Sequence, residues 1–346
     1  MVPKISVILP VYNVEEYLDE AIQSIISQTI GLEYIEVIFV DDGSKDGSVD
    51  IIKKYQENYP FQLIQIDGPS GAAGKPRNIG MKHAKANYLV FMDPDDVLEI
   101  DGLQKLYEAI ERYQSDIVTG KFVSFNSFTQ MDPFEPFEDV LKEKMVNIHI
   151  EDYAFLLKVQ NNLCSKIFKR AFIENNGIEF PEGVIAQDTF FVQKSYLITN
   201  NLTFIPESIF KYRVREKQEN PSVSQIQNLK YFQDFSTVRA QLIELYKEYP
   251  RINYYDFRYF SDLKFLLFQL QRTSKVSVAE KVECIKVVEW ILELSHMTDT
   301  STLDEERKAL LEAIKAKDYG IAISYMNIDP LEFNKSKFAK IKTKQV

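Results

Sequence analysis

The sequence is short of nearly every residue that anchors a framework or a cofactor by itself. Its 346 residues include two cysteines, three histidines and one tryptophan. Cys164 and Cys284 lie far apart, with no His or Cys cluster beside either, which argues against zinc and against a disulfide framework and leaves two reduced packing residues. No stretch approaches the roughly 18 apolar residues of a membrane-spanning helix. A basic-then-apolar leader is also missing, because Lys4 is followed by an alternating strand and then Pro10. The expectation is a cytoplasmic protein, at most peripheral at the inner face of the membrane. Positive charge is in deficit: a formal net charge of −10 argues against a general nucleic-acid binder, whose phosphate partners demand a basic surface. Basic residues that matter must therefore act locally. Apolar residues are plentiful, at 45%, enough for one large domain or two ordinary ones.

The stretch Tyr88-Leu-Val-Phe-Met92 reads as a buried strand that runs into Asp93-Pro94-Asp95-Asp96. Pro94 lacks an N–H and ends the ladder, so Asp93 and Asp95 can project to one side at the carboxyl end of the sheet, where open α/β sheets bind ligands. Carboxylates this close repel one another unless a cation sits among them. Hard oxygen ligands of this kind suit Mg²⁺ or Mn²⁺ carrying a substrate diphosphate. The competing reading is a helix cap, with Asp95 or Asp96 capping a helix that starts near Ile100.

The chain before this stretch alternates strand, loop and helix. Ile5 to Leu9 and Ile35 to Val40 are β-branched strands that end at Pro10 and at Asp41-Asp42-Gly43-Ser44, and each is followed by an amphipathic helical pattern. A third strand spans residues 61–66. The loop Gly68 to Asn78 follows, with a helix expected from about Ile79. This order predicts an α/β fold with a mostly parallel sheet flanked by helices, its crevice beside Pro10, Asp41 and Asp93. Two motifs fall short. Residues 68–75 miss the Walker A glycine spacing and carry Pro76 where Ser or Thr binds magnesium. The turn from Asp42 has Lys53 where an EF-hand needs its bidentate Glu.

Further along, residues 116–125 read as a strand, and 129–146 lack a period and are expected to form a surface excursion. The segment Asn162 to Arg170 is short, apolar and basic. Gln187-Asp188 opens a helical run, so Asp188 is either a functional carboxylate or an acid favoured by the helix dipole. Beyond a strand at 202–205, Arg213, Arg215 and Lys217 form a charged loop that solvation alone would explain. Three domains are expected: 1–224, a helical module over 225–333, and a basic tail over 334–346. The module keeps a three-to-four apolar spacing, with capping-box patterns at Ser277 and Thr302. Its Tyr and Phe stripes suit a core or a homo-oligomer interface.

Taken together, Pro10-Val11-Tyr12-Asn13, Val40 to Ser44, Gly74-Lys75-Pro76-Arg77-Asn78, Asp93 to Asp96 and Gln187-Asp188 resemble family 2 glycosyltransferases over roughly residues 4–220. The Gly-Lys-Pro-Arg-Asn loop and the trailing helices look most like the enzymes that add N-acetylglucosamine to wall teichoic acid. Capsule and exopolysaccharide transferases share the same elements. The resemblance implies a GT-A-type fold, an inverting transfer, a UDP-sugar donor, and a polyol-phosphate or polysaccharide acceptor. It further implies Mn²⁺ or Mg²⁺ held by Asp95 and Asp93, with Asp188 as the base. Pro10, Tyr12, Asp41, Arg77 and Asn78 would then meet the nucleotide, with Asp41 accepting the uracil N3–H. Arg213, Arg215 or Lys217 would close over the diphosphate, while Lys166 and Gln187 would face the sugar or acceptor. The family carries Glu-Asp where this chain has Gln187-Asp188. A nucleotidyltransferase would need a Gly-rich basic N-terminal loop, and a catalytically inactive nucleotide-sugar scaffold would lack the metal ligands or the base.

Overall fold

The structure, a computed structural model, describes residues 2–159, 161–215, 226–249, 252, 260–273, 276–295, 300 and 303–326. The chain divides into two compact units, residues 1–220 and 221–346.

The first unit is built on one curved sheet. In chain order its elements are β1 (Ile5–Val11), α1 (Glu15–Ile26), β2 (Ile35–Asp41), α2 (Ser48–Gln56), β3 (Gln62–Gln65), α3 (Gly74–His83), β4 (Tyr88–Phe91), β5 (Val97–Leu98) and α4 (Gly102–Tyr113). They continue as β6 (Ile117–Phe125), β7 (Gln130–Met131), α5 (Glu138–Leu141), β8 (Met145–Ile148), α6 (Leu156–Val159), β9 (Lys166–Lys169), α7 (Arg170–Asn175), α8 (Gln187–Ile198) and β10 (Leu202–Arg213). The sheet runs β3-β2-β1-β4-β9-β6-β10-β5, with β7 beside β6 and β8 beside β10.

The strands β1 to β4 are parallel; β1, β2 and β4 are the mostly apolar, buried runs expected of such strands, and β3 is a half-buried edge strand. Their register sets the site. Asp41 lies opposite Val11, and Phe91 opposite Ile8, so the loops after β1, β2 and β4 all leave from one edge. The sheet is mixed beyond that: β9 lies antiparallel between β4 and β6, and β10 returns parallel to β6. Residues 129–146 lie mostly at the surface, as their irregular pattern suggests, and are anchored at a few points. Phe134 and Leu141 are buried, and β8 pairs with β10.

Helix α3 starts at Gly74, several residues before the expected Ile79. Its first turn carries Pro76, tolerated there because the first helical N–H groups have no partner inside the helix. Gly80 lets this helix lie directly on β1, since a Cβ there would come within 2.3 Å of Ile8 Cγ2. Helix α4 starts at Gly102 with no side-chain cap, which removes the cap reading of Asp95 and Asp96.

An aromatic cluster fixes α8 against the sheet. Phe180 and Phe191 stack at 3.9 Å, and Phe91 meets them edge-on at 5.1 and 5.4 Å, with Phe168 5.4 Å from Phe191. Such pairs add to the large area that buried aromatics remove from water.

The second unit contains α9 (Leu229–Lys247), α10 (Phe260–Gln271), α11 (Val278–Ser295), α12 (Glu305–Lys315) and α13 (Tyr319–Met326). Leu242, Leu266, Leu270, Cys284, Val288 and Leu310 are buried in it, as the apolar spacing requires. The Glu280 N–H donates to Ser277 Oγ at 3.2 Å, one half of a capping box. At α12 the cap is Asp304, whose side chain accepts from the Arg307 N–H at 2.9 Å; Thr302 and the tail at 334–346 lie outside the described residues. Among the described residues no helix is long and apolar enough to cross a membrane.

Phe191 is fully buried at the centre of the aromatic cluster. Phe191→Ala should cost about 3–5 kcal/mol of stability, the range for deleting a core aromatic ring. A thermal or urea melt checks this, and a change under 1 kcal/mol, taken as roughly the effect of a surface substitution, would contradict the packing described.

Candidate functional site

Three loops converge at the carboxyl edge. After β1, Tyr12 is 46% exposed and Asn13 takes a left-handed conformation. The Asn13 N–H donates to Ser44 Oγ at 3.1 Å, and Asn13 Oδ1 accepts from the Lys45 N–H at 2.8 Å, stitching this loop to the one after β2. Pro10 is buried in β1 opposite Val40. Asp41 is buried, and its Oδ1 accepts from the Ser44 N–H at 3.1 Å. Asp42 accepts from the Ser70 N–H and hydroxyl, both at 2.9 Å, and so holds the glycine-rich loop; burial, the largest influence, raises its pKa.

The acids after β4 separate into different environments. Asp93 is paired with Arg77, Nη2 to Oδ1, at 2.5 Å. The Asp95 carboxylate is paired with Arg215 Nε at 2.8 Å, while the Asp95 carbonyl accepts from Arg213 Nε at 2.7 Å. Asp96 is 1% exposed; its Oδ1 accepts from the Arg213 N–H at 2.8 Å, and its Oδ2 has no hydrogen-bond partner. Desolvation raises the pKa of Asp95 and, more strongly, of Asp96, and neighbouring carboxylates push the same way. Carboxylate oxygens of Asp93 and Asp96 and the Cys164 sulfur all lie within 4.8 Å of one another. The thiol stays protonated, because burial and then the charges of Asp93 and Asp96 push its pKa well up. The two carboxylates, one with an unsatisfied buried oxygen, therefore fit a hard divalent cation, and the neutral thiol adds little to it.

Arg213 and Arg215 reach this cluster from the end of β10. Their guanidinium carbons sit 5.2 and 4.8 Å from the centre of the Tyr17 ring on α1, and Arg213 also pairs with Glu20 at 2.5 Å. Tyr17, Glu20 and Cys164 thus stand at the site without having been singled out for it from the sequence. All three are brought in by the fold, whereas Asp96 belongs to the acidic motif itself. Lys217 lies outside the described residues.

The opposite wall is the start of α8. Gln187 is buried and accepts from Arg77 Nη1 at 3.0 Å, and Asp188 follows in the first turn. Desolvation raises the Asp188 pKa, with the Arg77 charge opposing. Asn78 is turned away from the crevice. Its amide donates to the Phe180 carbonyl at 2.9 Å and to Glu182 at 3.0 Å, and its oxygen accepts from the Phe180 N–H at 2.9 Å. Lys166 is fully buried, donates to the Asn162 carbonyl, and has its pKa lowered to about 7 by desolvation. The edge therefore gathers Tyr12, Asp41, Arg77, Asp93, Asp95, Gln187, Asp188, Arg213 and Arg215, while Asn78 bonds to the segment at 180–182 and Lys166 lies buried within reach of the charge of Asp188.

Comparison with known proteins agrees with this geometry. The model of glycosyl transferase family 2 matches residues 6–157. The chain is 30% identical over 249 residues to the poly(ribitol-phosphate) beta-N-acetylglucosaminyltransferase TarP of Staphylococcus aureus, covering 70% of this chain and 71% of TarP. It is 32% identical over 229 residues to the poly(ribitol-phosphate) beta-glucosyltransferase of Bacillus spizizenii, covering 64% of this chain and 34% of that protein. For several such relatives the chain spans only 31% to 40% of their length. Its fold matches that of S. aureus TarS 1–349, solved with UDP-GlcNAc, at a TM-score of 0.63 and 23% identity, covering 93% of this chain and 90% of that one. The chain belongs to glycosyltransferase family 2.

Proposed function

We propose that the protein transfers a sugar, N-acetylglucosamine or another hexose, from a UDP-sugar to a hydroxyl of a polyol-phosphate polymer such as wall teichoic acid. The observation that carries this reading is the meeting of Asp41, Asp93 to Asp96 and Asp188 at one sheet edge in a family 2 chain. The acceptor class is supported by relatives whose names give poly(ribitol-phosphate) as substrate.

Asp41 is suited to the uracil N3–H, a donor that cytosine does not offer, and the exposed Tyr12 ring to the face of the base. Asp93 and Asp95, the pair read from the motif, together with Asp96, whose carboxylate oxygen lies within 4.8 Å of that of Asp93, are the residues that would hold Mn²⁺ or Mg²⁺. Such an ion supplies positive charge to a diphosphate that gains negative charge as it leaves. Arg213 and Arg215, each carrying a planar fork, stand at the same edge to receive phosphate oxygens.

Asp188 is suited to take the proton of the acceptor hydroxyl. The hydroxyl oxygen then bonds to the anomeric carbon, the bond from that carbon to the UDP oxygen breaks, and the electron pair leaves with UDP. One displacement from the far face inverts the anomeric centre. A carboxylate whose pKa is raised by desolvation is a stronger base than an ordinary one, which favours this step.

The direct test is a panel of UDP-sugars incubated with poly(ribitol phosphate), with and without metal. UDP release and sugar on the polymer should depend on the acceptor, disappear in EDTA and return with Mn²⁺ or Mg²⁺. Undiminished turnover in EDTA would remove the metal, and release of pyrophosphate in place of UDP would remove the transferase reading. For Asp188→Asn we expect kcat to fall by about 10²–10⁴, the range for losing a general base, with donor affinity little changed. Because only the deprotonated base is competent, wild-type kcat should fall as pH drops through a pKa above the ordinary 3.8, and the variant should lose that limb. A folded variant turning over at the wild-type rate would make Asp188 a helix-terminal acid only.

A further inference from the structure

The Gly-Lys-Pro-Arg-Asn segment opens α3, and its polar groups face the protein interior. Gly74 meets the backbone of another segment directly: a Cβ added there would lie 2.2 Å from the Pro181 carbonyl oxygen and 3.4 Å from Gln187 Cγ. Only glycine permits that approach without a shift of backbone. Asn78 spends its amide on Phe180 and Glu182, in three hydrogen bonds of 2.9 to 3.0 Å. Arg77 is 3% exposed, spans Gln187 and Asp93 with its two terminal nitrogens, and sits 5.5 Å from the Phe180 ring centre. Both terminal nitrogens are engaged, so the guanidinium cannot present that fork to a phosphate without giving up contacts already made, and Nε is buried without a hydrogen-bond partner.

The partner of all three residues is the segment 180–187, which leads into α8 and Asp188. That helix has no side-chain cap at its N-cap residue. Ala186 occupies the cap position in a left-handed conformation, with φ at 59°, and has no polar side chain to cap the helix, while the Asp188 carboxylate meets the backbone N–H groups of Asp188 and Thr189. Bonds within the first turn do not set where the helix start lies on the sheet, so its placement depends on what packs against it. Here that role falls to α3, and the link is rigid because Arg77 also grips Asp93 at the end of β4. Gln187 suits the arrangement. It supplies the hydrogen bond that a glutamate would supply, and it leaves the Arg77 charge to Asp93 and Asp188.

We propose that residues 74–78 form a socket for the segment that carries Asp188, and that Arg77 is a positioning residue for this carboxylate rather than a ligand of the nucleotide. The proposal rests on the reading of Asp188 as the base. It replaces the nucleotide contacts that the resemblance implies for Arg77 and Asn78 with contacts inside the protein. Its consequence is a separation of binding from turnover: weakening the socket moves the base relative to the acceptor and leaves the donor pocket intact. A misplacement of about 1 Å is enough to cost roughly 10²-fold in rate.

The test uses the full chain carrying Arg77→Lys, Gln187→Ala or Gly74→Ala, with three readouts. Calorimetry gives UDP affinity in Mn²⁺, steady-state kinetics give kcat and the donor KM, and hydrogen exchange gives the protection of amides at 188–193. In Arg77→Lys the UDP Kd and donor KM should stay within about threefold, kcat should fall about 10²-fold, and the α8 amides should exchange faster. Gln187→Ala removes a single bond and should show the same pattern more weakly, which keeps the test available if Gly74→Ala does not fold. Gln187→Glu, which retains the bond, should restore most of the protection. A UDP Kd weakened tenfold or more by Arg77→Lys, with α8 exchange unchanged, would make Arg77 a nucleotide ligand and overturn the socket. The exchange readout needs no substrate, so it decides this point even if wild-type protein binds no UDP, a result that would count against the donor reading instead.

Discussion

A guanidinium that is 3% exposed must find its charge and hydrogen-bond partners inside the protein, and Arg77 finds them on two loops remote in sequence. One is the acidic end of β4, the other the start of α8. Taking away one partner of a buried pair typically costs about 3–5 kcal/mol, because the remaining charge is left uncompensated; the 36% exposure of the Asp93 side chain lowers the figure here. The bond therefore fixes distance as much as it adds stability. Through it the residues suited to the donor diphosphate and the residue suited to the acceptor hydroxyl share one rigid reference.

The same edge carries more acid than its hydrogen bonds can settle. Asp95 leans on Arg215, Asp96 keeps an oxygen without a donor, and desolvation pushes both carboxyls up. Such a cluster is poorly stable with every group ionised, and proton uptake or a cation relieves it. The arginines at the end of β10 supply part of that relief, held against Tyr17 and Glu20 of the first helix. This gives a physical reason for the basic residues to be local in a chain of net charge −10.

Much of this was legible in the sequence wherever burial leaves a continuous signal. The strands β1, β2 and β4 are mostly apolar runs, with β1 carrying on through Pro10 to Val11, and the acids that follow β2 and β4 fall at one edge because parallel pairing puts them there. The insertion of β9 was not legible. Four residues, Lys-Ile-Phe-Lys, pair with strands on both sides through long-range contacts that leave no local period. That insertion also brings Cys164 to the carboxylates, which no spacing rule anticipates. The start of α3 was hidden for a different reason. Glycine and proline mark loops by propensity, whereas here Gly74 is required by a neighbouring backbone and Pro76 fits the first turn. Asn78 shows the limit of motif reading: its place in a family motif points to the ligand, while its hydrogen bonds run to Phe180 and Glu182.

The central claim is that this edge binds a uridine diphosphate, with Asp41 at the base and the β4 acids at the phosphates. Calorimetry of UDP against CDP, in Mn²⁺ and in EDTA, tests it most directly, because the two ligands differ at the pyrimidine edge that Asp41 would meet. The account predicts that UDP binds at least about tenfold more tightly than CDP, the worth of a hydrogen bond to a charged group, and that EDTA weakens both. Equal affinities for UDP and CDP, or UDP binding indifferent to the metal, would contradict it.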